Sequence, residues 1–223
     1  MPGEDEAKIE EQAFQRMAPV ISHELRNPLA IIGNSAYFIR SKLSSLGKTD
    51  PKVEKHLGII EDEVKRANAT LGEILAFTRM REPAKSPCSL NGIIDKALSG
   101  FPPRRLKPLL EPAPSDHTVC VDEELIIQCL GHLIRNADES GAEGEVRIRA
   151  RFEKGWARIE VMDSGPGLPS DARLFIPFCT TKPRGIGLGL SFVRKAVERH
   201  GGKITVADRP GKGVAARLEL PAR

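Results

Sequence analysis

The chain has 223 residues, of which 40% are hydrophobic, 29% are charged and 4% are aromatic, with a formal net charge of +4. This balance is typical of a folded globular protein of one or two domains, and no stretch approaches the twenty apolar residues of a membrane span. Acidic and basic residues are mixed, aromatic residues are few and the acidic start MPGEDEAKIEEQ is no signal peptide, so we expect a soluble cytoplasmic protein that contacts neither nucleic acid nor membrane.

The first long segment has apolar residues at steps of three and four, the spacing of an amphipathic helix. These positions are Phe14, Ala18, Ile21, Leu25, Leu29, Ile32, Ala36, Ile39, Leu43 and Leu46. After the turn-forming segment GKTDP, the same spacing resumes at Val53, Leu57, Ile60, Val64, Ala67, Leu71, Ile74 and Thr78. A lone hairpin leaves these narrow stripes half exposed, so we expect two hairpins to pair into a dimeric four-helix bundle.

The stretch VISHELRNPLAIIG puts His23 five residues ahead of a proline within the first helix. His23 lies two residues from Ile21 and from Leu25, so helical geometry points its side chain away from the stripe and towards solvent. Pro28 costs a helix interior roughly 3 kcal/mol, but the stripe continues on both sides of it. We therefore expect Pro28 to bend the helix without ending it, and to leave the Glu24 carbonyl without its backbone donor.

After Arg81 the pattern changes, because the segment EPAKSP reads as a linker and short strands then alternate with helices. The predicted domains are residues 1–82, a linker at 83–87, and residues 88–223. In the second domain we predict helices in LNGIIDKAL, in DEELIIQCLGHLIRNADES and at 188–199. We predict strands in HTVCV, EVRIRARFE, WARIEVMDS, KITVAD and GVAARLEL, with a hairpin turn near Gly155. This is an α/β sandwich of mixed strand order.

The four cysteines form no C-x-x-C pair and have no histidine at zinc-ligand spacing, so we expect reduced thiols. They are Cys88, Cys120, Cys129 and Cys179. In TTKPRGIGLGLSF, Gly185, Gly187 and Gly189 come just before a predicted helix, where backbone N–H groups can hold phosphate. This segment is neither a P-loop nor a dinucleotide fingerprint, and by itself it also fits a flexible helix entry.

Three further stretches precede the glycines in a fixed order: HLIRNADES, DSGPG and LFIPFCTTK. Together with HELRNP, these stretches resemble the sensor histidine kinases, whose ATP-binding domain belongs to the superfamily of gyrase, MutL and heat-shock chaperone ATPases. They match the N, G1, F and G2 boxes of that family. The resemblance implies a dimeric phosphoacceptor hairpin followed by an α/β sandwich that binds ATP and Mg²⁺.

In the family, the residue at Asn136 gives a side-chain oxygen to Mg²⁺ and the residue at Asp163 accepts from the adenine amino group. Gly165 and Gly167 let the chain turn near the base. Phe175 and Phe178 either shape the hinge of the ATP lid, the segment that carries Thr180, Thr181, Lys182 and Arg184, or are core residues. The resemblance also implies nucleotide contacts on the lid and at the start of the following helix. The residues that would make them are Thr180, Thr181, Lys182, Arg184, Gly185, Gly187, Leu188 and Gly189.

The resemblance makes His23 the phosphorylated residue, with Glu24 acting on its ring proton and Asn27 orienting water for dephosphorylation of the partner. It implies a separate response regulator receiver domain as the acceptor. The chain would be either a short soluble kinase or the catalytic core of a longer one.

Two residues depart from the family pattern. His132 stands where an asparagine is usual, and Glu139 stands where many members have a lysine that touches phosphate. They make the magnesium geometry and the ATP affinity less certain than the nucleotide assignment. Gyrase-like relatives have a glutamate base at the position of His132, so a simple ATPase is disfavoured. Two other readings stay open: an ATPase or serine kinase of the same superfamily, and a catalytically silent nucleotide-binding scaffold.

Overall fold

The computed structural model describes residues 2–47, 50–115, 117–140, 143–170, 173–182, 185–209 and 213–221; side chains of the first helix are described from residue 18 onward, except at position 20. The chain divides into two compact units, residues 1–80 and residues 81–223. The first is a helical hairpin and the second is an α/β sandwich, which confirms the predicted fold class. Among the described residues, no helix is long and apolar enough to cross a membrane.

The hairpin consists of α1 (Pro2–Ser45) and α2 (Pro51–Thr78), which pack against each other. Gly47 supports the turn because its φ of 65° is unfavourable for residues with a side chain. Asp50 caps α2 by accepting from the Lys52 backbone N–H at 2.7 Å, and Pro51 occupies the first helical turn, where no backbone donor is needed. As predicted, α1 continues through Pro28, and it also continues through Pro19.

The buried side of α1 carries small residues. Ala18, Ser22 and Ala36 are at most 4% exposed, and a side chain added at Gly33 would touch Val64 of α2. Five positions of the predicted seam instead form an exposed apolar stripe, each of them 46–57% exposed. These residues are Ile21, Leu25, Ile32, Ile39 and Leu46. The side chain of Phe14, also predicted for the seam, lies outside the described residues.

The second unit contains three helices and two sheets in its described part. The helices are α3 (Leu90–Gly100), α4 (Glu123–Asp138) and α5 (Gly189–Arg199). The strands are β1 (Ser86–Ser89), β2 (Lys107–Glu111), β3 (Thr118–Val121), β4 (Glu145–Glu153), β5 (Trp156–Met162), β6 (Lys203–Asp208) and β7 (Val214–Pro221). The main sheet has the order β2-β4-β5-β7-β6, with β2 parallel to β4 and the other neighbours antiparallel, while β1 and β3 form a separate antiparallel pair.

One face of the main sheet forms the core. Side chains alternate along β4, so that Val146, Ile148 and Ala150 are at most 2% exposed while the arginines between them are not buried. The three helices pack against each other through α4. Ile126, Leu130 and Ile134 on one side of α4, together with Ile93, Phe192, Val193, Ile159 and Leu218 from other elements, are also almost fully buried.

Residues 81–89 are held by the second unit. Asp122, the N-cap of α4, binds the Arg81 guanidinium at 2.6 Å and the Ala84 backbone N–H at 2.8 Å. Ser86 and Pro87, which we predicted to be part of the linker, lie in β1 and pair with β3. Their sequence carries no strand signal, and the pairing depends on the backbone of β3.

Candidate functional site

His23 is an exposed residue of α1, with its side chain 76% exposed as helical geometry predicted. The Nδ1 atom lies 3.7 Å from Oε1 of Glu24, which is longer than a hydrogen bond but within ion-pair range. Asn27 is also exposed and lies one helical turn further along the same face. The position thus offers an accessible imidazole with a carboxylate and an amide nearby.

Asp163 follows β5 and organises the DSGPG turn. Its Oδ1 atom accepts hydrogen bonds from the backbone N–H groups of Gly165 at 2.8 Å and Val214 at 3.2 Å. Gly167 has a φ of 96°, and a side chain there would press on Asp208. The turn therefore needs glycine at this position, and it fixes a buried carboxylate, 6% exposed, at the end of a central strand.

The glycine-rich segment begins close to the lid phenylalanines. Phe175 and Phe178 both have a φ of 64°, and Phe178 is 48% exposed, so Phe178 is not a core residue. The Phe178 N–H donates to the Gly187 carbonyl at 3.1 Å, and a side chain at Gly187 would overlap the backbone of Cys179. The left-handed backbone at Phe175, Phe178 and Gly187 thus brings residues 178–179 back against Gly187.

The remaining lid positions divide between exposed and buried. Thr180, Thr181 and Gly185 are exposed, whereas Leu188 is buried just ahead of α5, whose first residue is Gly189. Arg184, which we predicted to contact phosphate, lies outside the described residues.

Asn136 lies near the end of α4, where the lid meets the helix. The Lys182 ammonium donates to Oδ1 of Asn136 at 3.0 Å and to Oε2 of Glu139 at 2.8 Å. A cation thus already contacts the amide oxygen that the resemblance assigns to Mg²⁺. This contact supports the fit of the site to a hard cation, because amide oxygens are suitable ligands for Mg²⁺.

The helix that carries Asn136 is fixed at both ends by buried carboxylates. Asp122 accepts from the Leu125 N–H at one end, and its own N–H donates to Nε2 of His200. Asp138 accepts from the backbone N–H groups of residues 104–106 at 2.8–2.9 Å. Burial alone would raise the pKa of each carboxyl, but the hydrogen bonds outweigh it and hold both pKa values below their usual range.

His132 lies one turn before Asn136 on α4 and packs near the ring of Phe192, with centroids 5.0 Å apart. Burial, helped by the positive charge of Arg135, lowers the pKa of His132 to about 4. The imidazole is therefore neutral near pH 7 and cannot supply the carboxylate base of a gyrase-like ATPase.

A cavity of about 440 Å³ lies beside Asp163. Its other lining residues come from the start of β4, the end of β5 and the loop after β6, and include Arg147, Met162 and Arg209. Among the described residues, no lining residue comes from α4 or from lid residues 180–182, so the cavity does not include Lys182 or Asn136.

Two family models match the chain. The His Kinase A (phospho-acceptor) domain matches residues 15–83, and the histidine kinase-, DNA gyrase B- and HSP90-like ATPase matches residues 121–223. The chain belongs to the sensor histidine kinase family. This confirms the resemblance that the five sequence motifs carried.

Among curated sensor histidine kinases, the sensory histidine kinase/phosphatase NtrB of Rhodobacter capsulatus is 31% identical over 92% of this chain. The chain spans 61% of the length of that relative. The solved structure of full-length ShkA in complex with AMPPNP is 25% identical, with a TM-score of 0.75 over 92% of this chain and 45% of ShkA.

Histidine kinase ThkA has been solved in complex with its response regulator TrrA. It is 30% identical to this chain, with a TM-score of 0.67 over 97% of this chain and 66% of ThkA. Its catalytic domain alone is 31% identical, with a TM-score of 0.56 over 62% of this chain and 95% of that domain. The likeness thus includes the hairpin and the sandwich.

Three features of the site were not predicted from the sequence. The first is the presence of Pro19 within α1 in addition to Pro28. The second is the pair of carboxylates that fix α4, and the third is the contact of Lys182 with Glu139. The aspartate before EEL is a usual N-cap signal and could have indicated the role of Asp122. The Lys182 contact joins residues 43 positions apart, and no local pattern signals it.

Proposed function

We propose that this chain is an ATP-dependent protein histidine kinase that phosphorylates His23 and passes the phosphoryl group to an aspartate on a separate response regulator. The observation that carries the proposal is the accessible imidazole of His23 on a hairpin, in the same chain as a sandwich with a lid cation at Asn136. ShkA with AMPPNP and ThkA with its response regulator support the nucleotide and the partner.

In the proposed reaction, the neutral imidazole of His23 attacks the γ-phosphorus of ATP through Nε2. A nitrogen–phosphorus bond forms, and the bond from that phosphorus to the β,γ-bridging oxygen breaks, releasing ADP. Glu24 lies on the Nδ1 side of the ring and holds the proton there as the imidazole acquires positive charge. Catalysis then depends mainly on positioning and on neutralising phosphate charge.

The residues of the second unit have the proposed tasks of binding and orienting the nucleotide. Asp163 accepts from the adenine amino group, while Gly187 and the start of α5 present backbone N–H groups to phosphate. Asn136 is the proposed Mg²⁺ ligand. When bound, Mg²⁺ neutralises part of the phosphate charge.

A phosphatase activity towards the response regulator is the second proposed function. Asn27 is exposed one turn from His23, where its amide can orient a water molecule towards a docked phosphoaspartate. The relative NtrB carries the name kinase/phosphatase. We also propose that the active form is a homodimer joined through the hairpin.

The deciding experiment is incubation with γ-labelled ATP and Mg²⁺, comparing the unaltered chain with His23→Ala. We expect acid-labile, alkali-stable label that disappears in His23→Ala. The matched control is His56→Ala, which removes another exposed histidine of the hairpin and should keep the label. Label that persists in His23→Ala, or a folded protein that binds ATP without becoming labelled, contradicts the proposal; the second result favours the silent scaffold.

A further inference from the structure

A lysine of the lid and two side chains of the α4 end form one cluster. Nζ of Lys182 is 2.8 Å from Oε2 of Glu139 and 3.0 Å from Oδ1 of Asn136. The side chains of Lys182 and Glu139 are 34% and 50% exposed, so solvent reaches the pair. Such a pair contributes little to global stability, and its value lies in orientation.

Both partners have a defined backbone. Glu139 is the C-cap of α4, and its N–H donates to the Arg135 carbonyl at 3.0 Å. The Lys182 N–H donates to Oγ1 of Thr180 at 3.1 Å, and the Lys182 carbonyl accepts from the Gly185 N–H at 3.2 Å. The ion pair therefore connects a fixed helix end to the lid.

The charge of Lys182 attracts a phosphate ligand to this cluster, whereas the charge of Glu139 opposes it. A carboxylate near a triphosphate repels it, so an isolated Glu139 would weaken nucleotide binding. An ammonium group has three N–H donors, and the two contacts above use two of them. Lys182 can thus stay bound to Glu139 and still donate to a phosphate oxygen.

We propose that Glu139 is a positioning residue, which holds the lid lysine Lys182 beside Asn136 so that its charge meets the nucleotide phosphates. This inference rests on the proposed function, since it takes the cluster to be the phosphate end of the ATP site. It assigns a favourable role to a residue whose own charge opposes phosphate. Lys182 also occupies the Asn136 oxygen until a metal ion competes for it.

The substitution Glu139→Gln distinguishes this positioning role from simple charge repulsion, because the two predict opposite changes in the affinity for AMPPNP. Loss of a nearby negative charge alone would strengthen binding of a polyanion. Loss of the partner of Lys182 should weaken it, by about two- to fivefold in the dissociation constant, the range that an exposed ion pair supports. The measurement is calorimetric titration of the full chain with AMPPNP and Mg²⁺.

Two comparisons make the result specific. Adenosine has no phosphate, so its dissociation constant should be the same for Glu139→Gln and the unaltered chain, which also shows an intact fold. In a Lys182→Met background, Glu139→Gln should no longer weaken AMPPNP binding, because the lysine that it positions is gone. Glu124→Gln removes the same charge from the opposite end of α4, about 22 Å away by helical rise, and should leave AMPPNP binding unchanged.

Tighter AMPPNP binding by Glu139→Gln, or an equal loss in the presence and absence of Lys182, overturns the positioning role while leaving the proposed kinase intact. A chain that is folded but binds neither AMPPNP nor adenosine overturns both. Weaker AMPPNP binding that depends on Lys182, with unchanged adenosine binding, establishes the role.

Discussion

His132 is a titratable residue that the fold keeps neutral. Burial next to Phe192 and the positive charge of Arg135 lower its pKa from 6.5 to about 4. In the unfolded chain the same imidazole takes up a proton near pH 6.5. The folded state therefore binds fewer protons than the unfolded state between these two values.

We expect the neutral state of His132 to leave the stability of the second unit unaffected well above pH 6.5 and to lower it as the pH drops towards 4. The contribution of His132 to the loss is at most about 3 kcal/mol, at 1.36 kcal/mol per pKa unit. Burial also lowers the pKa of His200, which adds a loss in the same direction. Urea denaturation at pH 7.5 and pH 5 should show a smaller loss for His132→Asn than for the unaltered chain.

The control for this effect is His56→Asn, an exposed position of α2, whose pH dependence should match that of the unaltered chain. If His132→Asn and the unaltered chain lost the same stability between pH 7.5 and pH 5, the imidazole of His132 would be protonated equally in the folded and unfolded states.

At the scale of the elements, α1 is a long helix with two prolines that flank its exposed histidine. Pro19 and Pro28 lack a backbone N–H, so the carbonyls four residues before them, those of Gln15 and Glu24, lose their helical donors. The helix nevertheless continues through both prolines. His23 consequently belongs to a turn with weakened backbone bonding.

Replacing Pro28 with alanine should restore the missing bond and stiffen this turn. The expected result is a hairpin more stable by up to about 3 kcal/mol, together with a changed ratio of kinase to phosphatase rate. The measurement is the rate of His23 labelling and the rate of dephosphorylation of the response regulator. Pro51→Ala, at the first turn of α2, is the control and should change neither rate, whereas unchanged rates in Pro28→Ala would contradict a hinge.

An element can be predicted from the sequence to the extent that its own residues specify it. Periodicity predicted the three helices of the second unit and the strands of the main sheet apart from β2, because these carry a buried face of regular spacing. Both β1 and β2 contain a proline in four or five residues and show no alternation, so only their partner strands define them. In the site, motif order indicated Asn136 and Asp163, but tertiary approach alone brings Lys182 to Glu139.

At the scale of the whole molecule, the exposed apolar stripe that runs from Ile21 in α1 to Leu46 just after it is the surface on which we propose that two hairpins pair. Its five residues recur at steps of four and seven, which is the spacing of a helix–helix seam. Ile31, Tyr37 and Phe38 on the same helix are 67–70% exposed. A surface of this kind is typical of an interaction site, and it supports the proposed pairing of two hairpins.

Ile39→Glu should separate the proposed dimer, because pairing would bury an unpartnered carboxylate from each protomer. We expect the dissociation constant of the dimer to rise by at least about tenfold, with the helical content of the hairpin preserved. Sedimentation velocity over a concentration series measures the change, and circular dichroism monitors the helices. Ser41→Glu, an exposed polar position of the same helix, should sediment like the unaltered chain; a dimer that tolerates Ile39→Glu would place the interface elsewhere.

The carboxylates at the two ends of α4 also bear on which element of the second unit moves when a ligand binds. Asp122 and Asp138 tie the helix to the backbone on both sides, so its amide protons should exchange with solvent among the slowest of the unit. In the described part of the lid, the side chain that contacts α4 is the partly exposed Lys182. We therefore expect Asn136 to keep its position when a ligand enters, and the lid to be the part that moves.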